Sequence, residues 1–348
     1  MQLVTFERRG ADDRHSMGDL ALGFDSLEPS TVGSRRLGAL VPHGPHAGSV
    51  VDLNRALALK LAAEDVGAPE AEADSLLASD ALAFLRSGER ALRAARSAFS
   101  FAVDALERYD APDVQRAGVV EPRSRARLCA PIPRPGKVIG VARNYVAHAA
   151  ERGSEPPEEP VLFLKSSSAV IGPEDEILLP EVSVQVDYEG ELAVVIGRTG
   201  RNLDPADALA SVAGYCAAND VSARDFQNVR GQRFIGKSCD TFAPLGPVLV
   251  TVDEIADPQD LAIRTTLSGE VVQSGRTKEM IFPVAAILAF ASRLMTLEPG
   301  DVVLTGTPEG VGVARVPPRF LQDGDVVEVA VERVGRLRNY VRRSHAGE

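Results

Sequence analysis

Hydrophobic residues follow two different spacings along this chain, one typical of strands and one typical of helices. Short apolar runs at residues 2–6, 37–41 and 49–53 have the length of β-strands. From residue 54 to about 108, Ala and Leu recur at helical spacing, so we predict two or three amphipathic helices there. The N-terminal part is therefore predicted to combine short strands with helices.

A proline-rich connector at residues 130–137 separates this part from the rest of the chain. Its three prolines within five positions favour a stiff, extended segment, which we take as a domain boundary. Beyond it, apolar runs bounded by Gly and Pro predict strands, and helical spacing returns near 206–213 and 283–294. The predicted strands lie at 138–141, 161–164, 192–196, 247–250, 302–305 and 326–331.

We therefore predict an α+β fold built from two domains. A small α/β accessory domain spans residues 1–130, and a larger, β-rich domain with a mixed sheet spans residues 131–348. The chain has 348 residues, of which 45% are hydrophobic and 25% charged, which suffices for one large domain or two ordinary ones.

The charge and the cysteine content narrow the classes of partner and the cellular location. The formal net charge of −11 argues against nucleic acid and anionic membranes as partners. No apolar run approaches the ~18 residues of a membrane span, and the N-terminus lacks the apolar core of a signal peptide. The three cysteines show no CxxC spacing, which favours reduced thiols and a cytoplasmic protein.

An acidic pair precedes one of the most apolar runs of the chain. Glu189 and Glu191 are two positions apart, and residues at this spacing on a strand point to the same face. Such a pair is often a solvated face, but Asp220 adds a third acid at the end of another strand-like run. Three carboxylates would give a hard cation such as Mg²⁺, Mn²⁺ or Ca²⁺ half of an octahedral shell. After Asp220, Ser222 and Asp225 fit a capping box that opens a helix.

Three further features of the sequence would suit catalysis beside such a cation. His148 and Glu151 are three residues apart, so on a helix the carboxylate can orient the ring and raise its basicity. Lys237 follows a glycine, which permits close approach of its amine to an oxyanion. The loop at residues 305–312 has three glycines, and its backbone N–H groups can cradle a carboxylate, although it also suits an ordinary turn.

Seven short motifs occur in order within residues 136–343. They are Arg143-Asn-Tyr-Val-Ala-His148 with Glu151, Phe163-Leu-Lys165, Asp187-Tyr-Glu-Gly-Glu191, Asn219-Asp-Val-Ser-Ala-Arg-Asp-Phe-Gln227, Gly236-Lys237, Leu297-Glu-Pro-Gly-Asp301 and Thr305-Gly-Thr-Pro-Glu-Gly-Val-Gly312. In this order they resemble the motifs of the fumarylacetoacetate hydrolase superfamily, and the chain resembles its branch of acylpyruvate hydrolases and 2-hydroxyhepta-2,4-diene-1,7-dioate isomerases. The chain departs from many members at Ser166-Ser167-Ser168, where they have a proline, so the shape of that loop is expected to differ.

The resemblance implies a role for each matching residue. It implies that Glu189, Glu191 and Asp220 bind Mg²⁺, with Mn²⁺ or Ca²⁺ as alternatives, and that Lys237 lies beside the metal. It also implies that His148 and Glu151 activate water, and that residues 144–160 form a mobile lid. The candidate substrate-binding residues are Arg143, Tyr145, Arg224, Gln227 and Thr307.

The same resemblance implies a metal-dependent hydrolase that cleaves a carbon–carbon bond of a 2,4-dioxo acid, such as an acylpyruvate or a fumarylacetoacetate-like compound of aromatic catabolism. The dyad favours hydrolysis, because only that reaction needs an activated water. The alternative is an isomerase or decarboxylase of a 2-oxo or unsaturated 2-hydroxy diacid, oxaloacetate included, and a non-catalytic binding protein is a third hypothesis. A small anionic 2-oxo acid is the expected ligand, and a homodimer is the family expectation.

Overall fold

The computed structural model describes residues 1–9, 34–108, 117–227, 233–255 and 257–344, and the chain divides into two units, Met1–Cys129 and Ala130–Glu348. The N-terminal unit contains an antiparallel sheet in the order β4-β3-β2-β1-β5. Its strands are β1 (Gln2–Arg8), β2 (Arg36–Leu40), β3 (Val50–Asp52), β4 (Val120–Glu121) and β5 (Ala126–Cys129). The three strands predicted from short apolar runs are thus confirmed as β1, β2 and β3.

Four helices follow β3, in place of the two or three predicted. They are α1 (Leu53–Ala63), α2 (Pro69–Leu76), α3 (Ala81–Arg86) and α4 (Gly88–Arg108). Helix α4 buries alanines at alternating spacings of four and three residues, and the small side chains allow α1 to pack closely against it. The buried alanines are Ala91, Ala95, Ala98, Ala102 and Ala105.

Asp52 joins the sheet of this unit to its helices. Its Oδ1 accepts a hydrogen bond from the backbone N–H of Arg55 at 3.2 Å, which caps α1. Its carboxylate also pairs with the guanidinium of Arg8, at 3.0 Å, and with that of Arg36. Burial alone would raise the pKa of Asp52, but the charges of Arg36 and Arg8 outweigh burial and lower it.

Replacing Asp52 by Asn should lower the free energy of unfolding at pH 7 by about 3 kcal/mol. The reason is that Arg36 loses its buried counter-charge and Arg8 keeps only Glu121. The folded-state pKa lies below the unfolded value of about 3.9, so the contribution is complete above about pH 4 and is lost as the pH falls through the folded pKa. Urea denaturation of the full chain across this range measures both effects.

The matched control is Asp80→Asn, which makes the same Asp-to-Asn replacement at the exposed N-cap residue of α3. Because Asn caps helices about as well as Asp, this variant should unfold like the wild type. An equal loss of stability in both variants would show that the buried ion pairs of Asp52 contribute nothing.

The second unit contains two larger sheets and a two-stranded ribbon. One sheet has the order β14-β12-β11-β17-β6-β7 with β8 beside β14, the other has the order β16-β15-β18-β19-β9, and β10 pairs with β13. Its strands are β6 (Val138–Ala142), β7 (Val161–Lys165), β8 (Val170–Ile171), β9 (Glu176–Leu179), β10 (Val186–Asp187), β11 (Gly190–Ile196), β12 (Val212–Asn219), β13 (Ser222–Ala223), β14 (Ala243–Thr251), β15 (Ala262–Leu267), β16 (Glu270–Arg276), β17 (Val302–Leu304), β18 (Val326–Val331) and β19 (Gly335–Arg343).

Most neighbouring strands in these sheets are antiparallel, but β17 with β6, β14 with β8 and β19 with β9 are parallel. Every residue of β11 is buried, and β11 contacts β15 and β18 of the other sheet. Burial on both faces explains why this strand is a continuous apolar run rather than an alternating one. The mixed α+β fold class predicted from the sequence is confirmed.

The helices of this unit are α5 (Val146–Glu151), α6 (Arg224–Gln227), α7 (Phe234–Lys237) and α8 (Val284–Leu294), and short 3₁₀ helices lie at Arg123–Arg125 of the first unit and at Ser167–Ala169, Ala208–Ser211, Val252–Glu254, Thr277–Glu279 and Gly312–Ala314 of the second. Helix α8 confirms the helix predicted at 283–294. Within the described residues, no helix is long and apolar enough to cross a membrane.

Two local predictions were wrong. The helix predicted near 206–213 is only a 3₁₀ turn, because Val212 begins β12 and pairs with β11. The capping box is absent: Ser222 lies in β13 and donates to the carbonyl of Asp220, while the Asp225 carboxylate accepts from the hydroxyl of Ser183. Both side chains therefore form hydrogen bonds other than those of a capping box.

Candidate active site

Three carboxylates converge where the start of β11 pairs with the end of β12. Gly190 pairs with Asn219 in this register. Because Glu189 and Glu191 are the chain neighbours of Gly190 and Asp220 is the neighbour of Asn219, the three acids lie close together. The backbone N–H of Asp220 donates to the carbonyl of Glu189 at 2.8 Å, which holds this corner together. One oxygen of each acid lies within 4.8 Å of the others, and all three residues are buried.

Two lysines and an arginine surround two of these acids. Lys237 Nζ donates to Glu189 at 2.8 Å and to Asp220 at 2.5 Å. Lys165 Nζ donates to the second oxygen of Asp220 at 2.5 Å, and Arg224 Nη1 donates to the second oxygen of Glu189 at 2.6 Å. Burial disfavours the ionised form of Glu189, but the charges of Lys237 and Arg224 outweigh burial and lower its pKa.

Glu191 forms no ion pair with a described residue. Its Oε2 accepts from the backbone N–H of Gly306 at 2.7 Å. Gly306 has a φ of +98°, and a Cβ there would lie 2.7 Å from the Cβ of Asn144, so only glycine suits this position. Burial, followed by the charges of Asp220 and Glu189, raises the pKa of Glu191 well above its usual value.

The triad has the donor set and the charge that suit a hard divalent cation. Carboxylate oxygens are the ligands that Mg²⁺, Mn²⁺ and Ca²⁺ prefer. Glu191 is buried without an ion-pair partner among the described residues, and a divalent cation would compensate its charge. The structure thus brings Glu189, Glu191 and Asp220 together as a group that could hold such an ion.

His148 and Glu151 form a hydrogen-bonded pair on α5. The ring Nδ1 lies 2.8 Å from Glu151 Oε1, while Oε2 accepts from the backbone N–H of Gly310 at 2.8 Å. Because a carboxylate accepts hydrogen bonds, this network assigns the proton of the neutral ring to Nδ1 and leaves Nε2 as an acceptor. The hydrogen bond to Gly310 also ties the segment 144–160 to the glycine-rich loop. That this segment moves as a lid stays a prediction.

A cavity of about 200 Å³ joins the dyad to the acidic cluster. His148, Glu189 and Lys237 all line it. The Lys237 amine lies 5.0 Å from the centre of the Phe163 ring, which forms another part of the wall. A histidine, a carboxylate of the acidic triad and an ammonium group therefore share one small chamber.

Gln273 of β16 holds the glycine-rich loop after β17. Its Nε2 donates to the hydroxyl of Thr307 at 2.7 Å and to the carbonyl of Pro308 at 2.9 Å, while its Oε1 accepts from Gly190 N–H at 2.9 Å. The Thr307 hydroxyl donates in turn to the carbonyl of Gly190 at 2.9 Å. One buried glutamine thus connects the loop to the start of β11.

Of the predicted substrate-binding residues, all but one line the cavity. Those on its wall are Arg143, Arg224, Gln227 and Thr307. Tyr145 is outside the described wall: it is 1% exposed, its hydroxyl has no hydrogen-bond partner among the described residues, and burial followed by the charge of Glu191 raises its pKa. Arg224 also donates from Nε to Asp187 at 2.8 Å, while its Nη2 is buried without a hydrogen-bond partner among the described residues.

Several residues that hold or line the site had no role predicted from the sequence. These are Arg152, Lys165, Asp187, Asn219, Arg233 and Gln273. Lys165, Asp187 and Asn219 lie inside the quoted motifs, which was the available signal. Gln273 lies in a strand without a motif, so only the folded chain shows its contacts.

Known proteins are similar to this chain over the segment that builds the site and beyond it. Residues 137–342 match the family model for the C-terminal domain of fumarylacetoacetate (FAA) hydrolase. The chain belongs to the fumarylacetoacetate hydrolase family. The mitochondrial oxaloacetate tautomerase FAHD2A of Homo sapiens is 46% identical over 260 residues, which cover 74% of this chain and 78% of the relative. That relative is mitochondrial by name, so the cytoplasmic location of this family member stays a prediction.

Solved structures of the family point to more than one reaction. A 2-hydroxyhepta-2,4-diene-1,7-dioate isomerase from Mycobacterium marinum is 43% identical, with a TM-score of 0.58 over 66% of this chain and 82% of that one. The fumarylacetoacetate hydrolase of Exiguobacterium antarcticum is 35% identical, with a TM-score of 0.71 over 99% of this chain and 100% of that one. The family resemblance predicted from the motifs is confirmed.

Replacing Glu191 by Gln should weaken Mg²⁺ and Mn²⁺ binding at least about 100-fold. Mutating a residue that only hydrogen-bonds to a metal ligand already lowers metal affinity about 10–100-fold, and Glu191 is itself a predicted ligand. Glutamine resembles the neutral carboxyl that burial favours, so the variant should still fold. Calorimetry measures the affinity, and the melting temperature should rise on metal addition in the wild type alone.

The exposed Glu181 provides the control, since Glu181→Gln removes the same charge at the protein surface and should bind metal like the wild type. If Glu191→Gln and the wild type bind Mg²⁺ equally, the metal hypothesis is wrong.

Proposed function

We propose that this protein interconverts the keto and enol forms of a 2-oxo dicarboxylic acid of the oxaloacetate type, with the help of a divalent cation. The observation that carries the proposal is the 46% identity with human oxaloacetate tautomerase FAHD2A over 74% of the chain. The geometry fits both hydrolysis and isomerisation, because both start from a base beside an acidic cluster. The reaction in the relative's name therefore supports tautomerisation over hydrolysis.

His148 performs the proton transfer in this proposal. Because Glu151 holds Nδ1–H, Nε2 is the nitrogen that takes the proton from carbon 3 of the keto form and returns it in the reverse direction. Glu151 keeps the ring oriented and stabilises the positive charge that the ring gains. To complete the conversion, Nε2 delivers this proton to the 2-oxo oxygen, so that the ring is neutral again. In total, one proton moves from carbon 3 to the 2-oxo oxygen, no carbon–carbon bond breaks and no water is consumed.

The acidic cluster and its cationic neighbours act on the oxygen side of the substrate. A divalent cation held by the triad would supply Lewis acidity, which stabilises the negative charge of an enolate. Lys237 adds a buried ammonium group at the same place, and burial strengthens its effect because little water screens it. Arg224 and Gln227 lie on the wall beside it, where they offer donors to the carboxylate next to the 2-oxo group.

Replacing His148 by Gln should slow the tautomerisation of oxaloacetate by about 10²–10⁴-fold, which is the usual contribution of a general base. The loss of the enol absorbance in the ultraviolet measures the rate, with Mg²⁺ present. The exposed His43 offers a control, since His43→Gln should keep the wild-type rate. Full activity of His148→Gln would mean that another group moves the proton.

Hydrolysis of an acylpyruvate is the second candidate function, because the chain is similar to a fumarylacetoacetate hydrolase along 99% of its length. This reaction would use the same dyad to activate a water that attacks the distal carbonyl. It would release two acids from one substrate, whereas tautomerisation releases none.

A panel of acylpyruvates, fumarylpyruvate, fumarylacetoacetate and oxaloacetate, each with Mg²⁺ or with chelator, separates the two candidates. We expect fast, chelator-sensitive tautomerisation of oxaloacetate and slow or absent release of two acids from the dioxo compounds. Efficient cleavage of one dioxo acid, with oxaloacetate tautomerising only at its spontaneous rate, would favour the hydrolase instead. We also propose that the protein is a homodimer, which light scattering of the purified chain measures.

A further inference from the structure

Four arginines line the active-site cavity, and the protein provides ion-pair partners for one of them. They are Arg143, Arg152, Arg224 and Arg233. Arg224 pairs with Asp187 and Glu189. The side chains of the other three form no hydrogen bond or ion pair with any described residue, and the Nε of Arg143 is buried without a partner.

This local excess of positive charge is unfavourable in the unliganded protein. Burial, followed by the charge of Arg224, lowers the pKa of Arg152, while burial, followed by the charge of Arg143, lowers the pKa of Arg233. The chain as a whole has a net charge of −11, so the composition does not account for a cluster of arginines in one chamber. Arginines without a structural partner in a cavity point to an anionic ligand.

Two of these arginines lie one helical turn from the reacting groups. Arg152 is four residues after His148 at the end of α5, and Arg233 is four residues before Lys237 at the start of α7. Four residues along a helix span about 6 Å, and side chains at this spacing lie on the same face. A ligand beside His148 and Lys237 therefore meets these guanidinium groups a few atoms away from its reacting carbon.

We propose that Arg152 and Arg233, assisted by Arg143, form a subsite that binds a second carboxylate of the substrate. This inference rests on the proposed function, which places the 2-oxo acid end of the substrate at the triad, Lys237 and Gln227. The planar fork of each guanidinium matches the two oxygens of a carboxylate. The subsite selects 2-oxo dicarboxylates over 2-oxo monocarboxylates of the same length.

Oxaloacetate and 2-oxobutyrate form the test pair, because the second replaces the distal carboxylate by a methyl group and keeps the rest. Calorimetry of the full chain with Mg²⁺ measures both affinities without relying on turnover. In the wild type, oxaloacetate should bind at least about tenfold more tightly, since a charge-assisted hydrogen bond contributes about that factor.

Arg152→Gln and Arg233→Gln should each weaken oxaloacetate binding by about 10- to 100-fold and leave 2-oxobutyrate binding within about twofold. Both arginines are only partly buried and lack structural partners, so both variants should fold like the wild type. The exposed Arg336, which pairs with Glu328, provides the control, since Arg336→Gln should change neither affinity.

The possible results separate the subsite from the proposed function. Equal losses for both ligands in the variants, or equal affinities in the wild type, overturn the subsite whatever the reaction is. If the selectivity for oxaloacetate disappears in the variants but wild-type protein fails to speed tautomerisation, the subsite stands and the reaction is another one on a dicarboxylate.

Discussion

The active site depends on one electrostatic constraint: three carboxylates are buried within 4.8 Å of one another, and their charge has to be balanced. Lys165, Lys237 and Arg224 balance two of the acids through short hydrogen bonds. Glu191 receives only a backbone N–H, and its pKa is raised as a result of its burial among like charges. This unequal distribution is what makes the cluster a receptive place for a divalent cation rather than a closed ion-pair network.

His148 and Lys237 lie on very short helices, so hydrogen bonds between elements have to fix the geometry of the site. Helix α5 has 6 residues and α7 has 4, too few to be stable on their own. Glu151 fixes α5 to the loop at Gly310, and Gln273 fixes the same loop to the start of β11. The acidic triad, the His148–Glu151 pair and the glycine-rich loop are therefore parts of one hydrogen-bonded unit, in which each group positions the next.

Apolar runs predicted fully buried strands such as β11 and half-buried strands such as β18, but they did not predict a strand rich in charged residues. Strand β11 reads as a continuous run because both of its faces pack, and its prediction was correct. Strand β19 was missed, because its arginines occupy the solvent-facing positions of a two-residue alternation and make it resemble a loop. The helix near 206–213 failed for a different reason, since pairing with β11 converted the end of that segment into a strand.

The sequence alone determined the family, the fold class and the identity of the three acids and the dyad, because closely spaced motif residues carry that information locally. The tertiary structure decided what those residues are paired with. Gln273 joins the site over a separation of more than 80 residues from Gly190, and the arginines of the cavity come from separate segments of the chain. Such contacts depend on strand register and loop path rather than on local spacing. Which acid is left without a counter-charge, and where excess positive charge collects, are therefore properties of the folded chain.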